Sequence, residues 1–212
     1  MNPLTKDTRL HILLLVSLTA VGIWSFIDCF DLLTWVLEAF PAVVGAAILI
    51  CVYRKFRLTN LAYILIWIHA IILFVGAHYT YSRMPLFNWI RDTFELSRNH
   101  YDRVGHIFQG FVPAIIAREV LLRTSPLKKG RWLFFIVVCI CAAISAFYEV
   151  LEWIAAVVTE DAAVAFLATQ GDVWDTQKDI ALCFIGAVLG LVCLGRLHDK
   201  QLYKIKKKGE QV

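Results

Sequence analysis

Ionisable residues interrupt the most apolar segments of this 212-residue chain at three places. They are Asp102 with His106, Glu149 with Glu152, and Asp179. A charged side chain inside the hydrocarbon of a membrane is costly, so its presence indicates a function by default. Carboxylates and an imidazole are ligands for divalent metals such as Zn, Mn or Fe. A metal with an open coordination position could activate water or polarise a phosphoryl oxygen.

The residue types predict a division of roles within this group. The predicted metal ligands are His106, Glu149, Glu152 and Asp179, and the predicted catalytic residues are Asp102, Arg103 and Asp175. Asp102 lies one helical turn before His106 and would orient its ring, as carboxylates commonly do for metal-bound histidines. Arg103 would contact a phosphate group, because a guanidinium matches phosphate oxygens in geometry and charge.

The composition of the chain predicts the elements that must position these residues. Hydrophobic residues make up 59% of the chain and charged residues only 18%, and the mean hydropathy is +0.67. These values exclude a disordered chain, a coiled coil and a water-soluble enzyme. Long unbroken apolar runs are typical of spanning helices, whereas barrel strands would alternate in polarity over roughly 10 residues.

The apolar runs predict an all-α membrane protein, a bundle of six transmembrane helices that forms a single integral membrane domain over residues 1–212. The predicted spans are 10–30, 32–52, 61–79, 103–122, 132–157 and 179–197. The first span follows two basic residues but is not followed by a small-residue cleavage site. We therefore expect it to remain as an anchor rather than to be removed as a signal peptide.

Basic residues predict the orientation of the bundle. Fifteen Lys and Arg residues flank the spans on one side and five on the other. Because Lys and Arg are retained on the cytoplasmic side, both termini are expected in the cytoplasm. The connections at 28–31, 80–102 and 158–178 then face outward, and the acidic and histidine residues lie near the outer, periplasmic face.

Several of these residues also have a structural interpretation. Asn99 with Asp102, and Asp172 with Asp175, have the spacing of a capping box at a helix start. The acids could also pair with Arg103 in a network that fixes helix register. Arg118 and Glu119 fall at the cytoplasmic end of the fourth span, and we interpret them as an interfacial ion pair.

Other patterns indicate packing rather than chemistry. Gly186 and Gly190 form a Gly-x-x-x-Gly pair, which favours close contact between helices. The six cysteines fall almost entirely within spans and predict neither disulfides nor a zinc site. The net charge of +4 reflects the basic cytoplasmic rim, so nucleic-acid binding is excluded.

The sequence resembles the YjdF family of bacterial inner membrane proteins over nearly its whole length. The resemblance is carried by three motifs: His100-Tyr101-Asp102-Arg103 with Gly105-His106, Tyr148-Glu149 with Glu152-Trp153, and Gln170-Gly171-Asp172 with Trp174-Asp175 and Asp179. It implies a multi-pass protein of the bacterial cytoplasmic membrane, in a family whose function is not established. The order of these motifs is also similar to that of VanZ-like membrane proteins. Phe184 and Ile185 stand where that pattern often has Asn.

Three classes of function remain open from the sequence. The first is metal-dependent chemistry on a lipid or lipid-linked substrate, with a divalent metal as cofactor. The others are a small-solute or proton-coupled transporter and a nonenzymatic lipid-binding or structural protein. Membrane lipids are expected partners in every case. The sequence leaves open the oligomeric state and whether the 80–102 loop closes over the site.

Overall fold

The structure is a computed structural model that describes residues 3–159 and 170–209. The described residues form α-helices, one short 3-10 turn at Tyr81–Arg83 and no strands. The helices are α1 (Pro3–Phe26), α2 (Leu32–Val52), α3 (Asn60–Tyr79), α4 (Pro85–Thr93), α5 (Tyr101–Thr124), α6 (Arg131–Thr159) and α7 (Asp175–Gly209).

Six of these helices, all except α4, are long and apolar enough to cross a membrane. The prediction of an all-α protein with six spans is therefore confirmed at this level, whereas the side on which the termini lie stays a prediction. Several helix bounds differ from the expected ones, among them the ends of α1 and α7. Helix α1 ends at Phe26 rather than near residue 30, because the chain turns at Asp28 with a φ of 51°. Helix α7 continues beyond residue 197 through the basic segment to Gly209.

Successive spanning helices run in opposite directions and define two ends of the bundle. The His106 end comprises the last turns of α1, α3 and α6 and the first turns of α2, α5 and α7. The Glu119 end comprises the opposite turns of the same helices. All the sequence-predicted site residues belong to helix turns at or near the His106 end.

Helices α5 and α7 form the tightest contact of the bundle, and glycines make it possible. A Cβ atom on Gly110 would lie 1.8 Å from the carbonyl oxygen of Cys183, and one on Gly186 would lie 2.0 Å from that of Ile107. Only glycine allows the two backbones to approach so closely. The packing role expected for Gly186 is therefore confirmed, and its partner surface is α5 of the same chain.

A buried hydrogen-bond network fixes the Glu119 end. The carboxylate of Glu119 is fully buried and accepts hydrogen bonds from the Thr59 backbone at 3.0 Å, Arg123 at 2.7 Å and His198 at 3.0 Å. Arg118 instead donates to Asp199 at 2.6 Å. The interpretation of Arg118 and Glu119 as a pair was therefore wrong, because Arg118 bonds to Asp199 of α7 and Glu119 bonds to Thr59, Arg123 and His198.

The connection before α5 is held against the bundle. The side-chain amide of Asn99 donates to the carbonyl of Met84 at 3.0 Å and to Asn88 at 2.8 Å. Its side-chain oxygen accepts from the backbone N–H of Tyr101 at 3.0 Å. Asn99 thus fixes both the start of α5 and the position of the connection beside it.

Candidate functional site

His106 lies at the centre of a buried polar cluster at the His106 end. It is one turn inside α5 and only 5% exposed. Its Nδ1 atom is 3.0 Å from Oε1 of Gln109, on the next turn of the same helix. Because an amide oxygen only accepts hydrogen bonds, Nδ1 donates in this pair, and Nε2 points away from Gln109.

The Nε2 atom of His106 faces carboxylates from three helices. It lies 3.4 Å from Oδ1 of Asp102 on α5 and 3.8 Å from Oε1 of Glu149 on α6. It also lies 3.8 Å from Oδ1 of Asp179 on α7. Antiparallel packing of α6 against both α5 and α7 brings these side chains, far apart in sequence, to one depth.

Three of these residues have the arrangement of a metal-binding group. One ligand atom from each of Asp102, His106 and Asp179 lies within 4.8 Å of the other two. All three residues are buried. Oε1 of Glu149 is also buried and has no hydrogen-bond partner among the described residues. A cation between these atoms could take oxygen and nitrogen ligands from the group, and it would give Oε1 of Glu149 a partner.

Glu152 is placed differently from the other predicted ligands. It follows Glu149 by one helical turn, is half-buried, and lies within electrostatic range of Asp102 and His106. It is not part of the group of ligand atoms within 4.8 Å. Its role as a ligand stays a prediction.

Two arginines form a layer of ion pairs beside Asp102, His106 and Asp179. The guanidinium of Arg103 bonds to Asp179 and Asp175, and it contacts Asp172 at 3.1 Å. Arg98 bonds to Asp175 and lies 3.6 Å from Asp102. Asp175 thus lies between two guanidinium groups, and Arg103 links α5 to α7.

This layer bears on the roles predicted from sequence. Asp175 contacts Arg98 and Arg103 rather than His106, and its predicted catalytic role stays a prediction. The expected phosphate contact of Arg103 stays a prediction, because both of its terminal nitrogens donate to carboxylates in the structure.

The capping interpretation fits some of these residues. Oδ1 of Asp172 accepts from the backbone N–H of Trp174 at 3.1 Å, as in a turn that precedes a helix. Lys178 donates to its other oxygen at 2.6 Å. These hydrogen bonds lower the pKa of the Asp172 carboxyl. The predicted capping is therefore met only in part: Asp172 orders the turn before α7, and it also contacts Arg103 in the ion layer to which Asp102 and Asp175 belong.

Glu38 is a member of this region that the sequence analysis missed. It lies on α2, is 2% exposed, and neither of its carboxylate oxygens has a hydrogen-bond partner among the described residues. The backbone of Tyr81 faces it, and Asp102 and Glu152 lie within electrostatic range. The signal was present, since Glu38 is the acidic residue in the otherwise apolar second span.

A cavity of about 660 Å³ extends from the cluster into the bundle. Five helices line it, mostly with apolar side chains such as those of Leu18, Ala46, Ile66, Val112 and Ile144. His106 and Gln109 form part of its wall at one end, and His11 and Tyr53 form part of its wall at the other. The polar cluster is therefore continuous with an apolar space between the spanning helices.

Comparisons with known proteins place the chain in a family. A family described as predicted membrane protein (DUF2238) matches residues 10–200. The inner membrane protein YjdF of Escherichia coli (strain K12) is 43% identical over 187 residues, which covers 88% of this chain and 90% of that protein. No solved structure matches the chain. The chain therefore belongs to the DUF2238 family of multi-pass membrane proteins, in agreement with the resemblance to YjdF carried by its acidic and histidine motifs.

Proposed function

We propose that the His106 end binds a divalent cation and uses it in a reaction on the polar head of a lipid or lipid-linked substrate. The observation that carries the proposal is the convergence of Asp102, His106 and Asp179, whose ligand atoms lie within 4.8 Å of one another. Carboxylate oxygen and imidazole nitrogen together favour Zn, Mn or Fe.

The orientation of His106 supports a cation at this position. Nδ1 is bonded to Gln109, so Nε2 faces three carboxylates, and a neutral imidazole would present its lone pair to them. A lone pair and three anionic groups repel one another unless a cation, either a metal ion or a proton on Nε2, lies between them. A metal ion supplies that charge, and Gln109 then acts as the outer partner that metal-bound histidines usually have.

Glu149 supports the proposal independently. Its Oε1 atom is buried without a hydrogen-bond partner among the described residues, 3.8 Å from His106 Nε2. Moving a polar group from water into an apolar environment without a hydrogen-bond partner costs roughly 2–7 kcal/mol. Coordination of a cation would remove this cost.

The location of the group indicates the substrate. It lies at the ends of spanning helices, at the level where the polar head groups of lipids begin. By the distribution of Lys and Arg, we place this end at the periplasmic face of the inner membrane. A metal held there by few protein ligands could activate water or polarise a phosphoryl oxygen of a head group.

A structural role is the second candidate, because Arg103 bonds to Asp175 and Asp179 and so joins α5 to α7. In that case His106 would be protonated and would serve as a further member of an ion network. The two candidates differ in metal content, since an imidazolium cannot bind a metal.

Metal analysis by inductively coupled plasma mass spectrometry on detergent-purified protein tests the proposal. We expect about one divalent ion per chain in the wild type and a loss of that ion in His106→Ala and Glu149→Gln. Glu95→Gln is the matched control, because Glu95 is an exposed carboxylate outside the cluster. Wild-type protein that holds no metal, even after incubation with Zn, Mn or Fe, would contradict the proposal.

A further inference from the structure

The cavity beside His106 has the dimensions of a ligand site. Its volume of about 660 Å³ lies within the roughly 300–1,000 Å³ of small-molecule sites. Its wall includes α5 from Gly105 to Ile116, which corresponds to about 16 Å at 1.5 Å per residue. That length is about half of the roughly 30 Å hydrocarbon core of a bilayer.

Small residues on α2 keep this space open. Ala42, Gly45 and Ala46 lie on one face of the helix and line the cavity. A Cβ atom on Gly45 would meet nothing within 4 Å. Close-packed interiors contain few such spaces, and an apolar space of this volume favours an apolar occupant over water.

Unpartnered polar groups lie in the wall at the His106 end. Tyr81 lines the cavity and is 8% exposed, and its hydroxyl has no hydrogen-bond partner among the described residues. The Nε2 atom of His69 also lines this region without such a partner. A ligand with polar atoms at this end would satisfy both groups.

The opposite end of the cavity differs in this respect. Both ring nitrogens of His11 already have partners, with Nδ1 2.8 Å from the Tyr53 hydroxyl and Nε2 2.9 Å from the Asn60 side chain. The polar groups at this end are therefore already satisfied. The asymmetry assigns a direction to the ligand, with its polar part beside Tyr81 and His106 and its apolar part toward His11.

From these observations we infer that the cavity binds a long hydrocarbon chain of a membrane lipid, inserted from the His106 end with the lipid's polar head at the His106 cluster. This inference rests on the proposed function for the identity of the reacting group, but chain binding does not require the metal. It narrows the substrate class to an amphiphile with a hydrocarbon tail of about 16 Å or more. It also disfavours a water-soluble substrate, because most of the wall is apolar.

A lipid-retention experiment tests the inference. Gly45→Phe would place a ring in the cavity, whereas Ile48→Phe enlarges a side chain of α2 that is 55% exposed on the outer surface. Both proteins are purified in mild detergent and their bound lipids measured by native mass spectrometry. We expect the wild type and Ile48→Phe to retain lipid and Gly45→Phe to retain at least tenfold less. Equal retention in the two variants overturns the inference.

A photoactivatable phosphatidylglycerol with a diazirine at the end of one acyl chain tests the direction. We expect crosslinks to peptides that contain Tyr63 or Ile66, which line the cavity toward His11. Crosslinks confined to the outer surface of α1 and α2 overturn the inference. Because this measurement uses wild-type protein, it tests whether a hydrocarbon chain enters the cavity even when Gly45→Phe does not fold.

Further variants separate this inference from the proposed function. His106→Ala is expected to lose the metal and keep the lipid, whereas Gly45→Phe is expected to keep the metal and lose the lipid. If no protein, including the wild type, binds metal but lipid retention is as expected, the proposed function is contradicted and the chain-binding inference stands. If the wild type binds metal as expected but retains no lipid, the chain-binding inference is contradicted and the proposed function stands.

Discussion

The Nε2 atom of His106 lies 3.8 Å from Oε1 of Glu149, although the two residues are on different helices and 43 positions apart. This contact joins the sequence motif that contains Asp102 and His106 to the one that contains Glu149 and Glu152. It exists because α6 runs antiparallel to α5 and returns its last turns to the level at which α5 begins. The predictions below concern this cluster, the packing that creates it and its side of the membrane.

Gln109 is predicted to tune metal affinity through His106. Gln109→Leu removes the acceptor of the Nδ1 proton, and loss of such an outer partner typically reduces metal affinity about 10- to 100-fold. Isothermal titration calorimetry, in which a divalent metal is added to metal-free protein, measures this change in affinity. Gln177→Leu is the control, since Gln177 is exposed on α7. Unchanged affinity in Gln109→Leu would show that this bond does not orient the ligand.

The stability of the protein is predicted to depend on the guanidinium group of Arg103 and not merely on its positive charge. Its two terminal nitrogens bind three carboxylates, an arrangement that the single ammonium of lysine cannot reproduce. We expect Arg103→Lys to lower the free energy of unfolding by about 1–3 kcal/mol. Arg91→Lys, in an exposed pair with Asp92, should change it by less than about 1 kcal/mol. Equal effects in a denaturation series would contradict this prediction.

Two buried glutamates are predicted to respond oppositely to the same substitution. Glu119→Gln removes the charge that pairs with Arg123 and replaces one of the two oxygens that accept from Thr59, Arg123 and His198, so it should destabilise the protein by about 3–5 kcal/mol. Glu38→Gln removes a buried carboxylate without hydrogen-bond partners among the described residues, and it should preserve or raise stability. Thermal unfolding in detergent compares them. Strong destabilisation by Glu38→Gln would indicate a partner, such as a cation, that stabilises the native carboxylate.

Gly110 is predicted to be essential for the contact between α5 and α7. In Gly110→Ala the new Cβ would lie 1.8 Å from a backbone oxygen of α7, so the helices must separate. We expect a loss of stability of at least about 1–3 kcal/mol, together with loss of metal, because Asp179 would move away from His106. Gly195→Ala meets nothing within 4 Å and is expected to be tolerated. Metal content and thermal unfolding of both variants check this result.

The orientation of the bundle is predicted to follow its basic residues. A fluorescent protein fused after Val212 should fluoresce in cells, and alkaline phosphatase at the same position should be inactive, because the C-terminus is expected in the cytoplasm. Active alkaline phosphatase at this position would show that the C-terminus is periplasmic and that the orientation is the opposite of the predicted one. The His106 cluster would then face the cytoplasm, although its geometry would be unaffected.

The sequence by itself determined the class of fold and most of the candidate residues. Six apolar runs of about 20 residues permit only spanning helices, since backbone groups in hydrocarbon must satisfy one another within each segment. Ionisable residues within those runs were conspicuous for the same reason, which is why Asp102, His106, Glu149 and Asp179 could be named in advance. The short helix α4 was not foreseen, because its nine residues lack the length and apolar character of a span.

The tertiary structure alone decided which of these residues meet. The contacts of His106 with Glu149 and Asp179 depend on how three helices pack, which in turn depends on glycine contacts such as that of Gly110 with Cys183. Helical periodicity places Gln109 and Asp102 on the same stripe as His106, but it does not show which of them bonds to the ring. Glu38 carried a sequence signal, an acid in an apolar run, but no second charged residue accompanies it in that run. Only packing places it beside the backbone of Tyr81 and near Asp102 and Glu152, where burial makes its carboxylate costly.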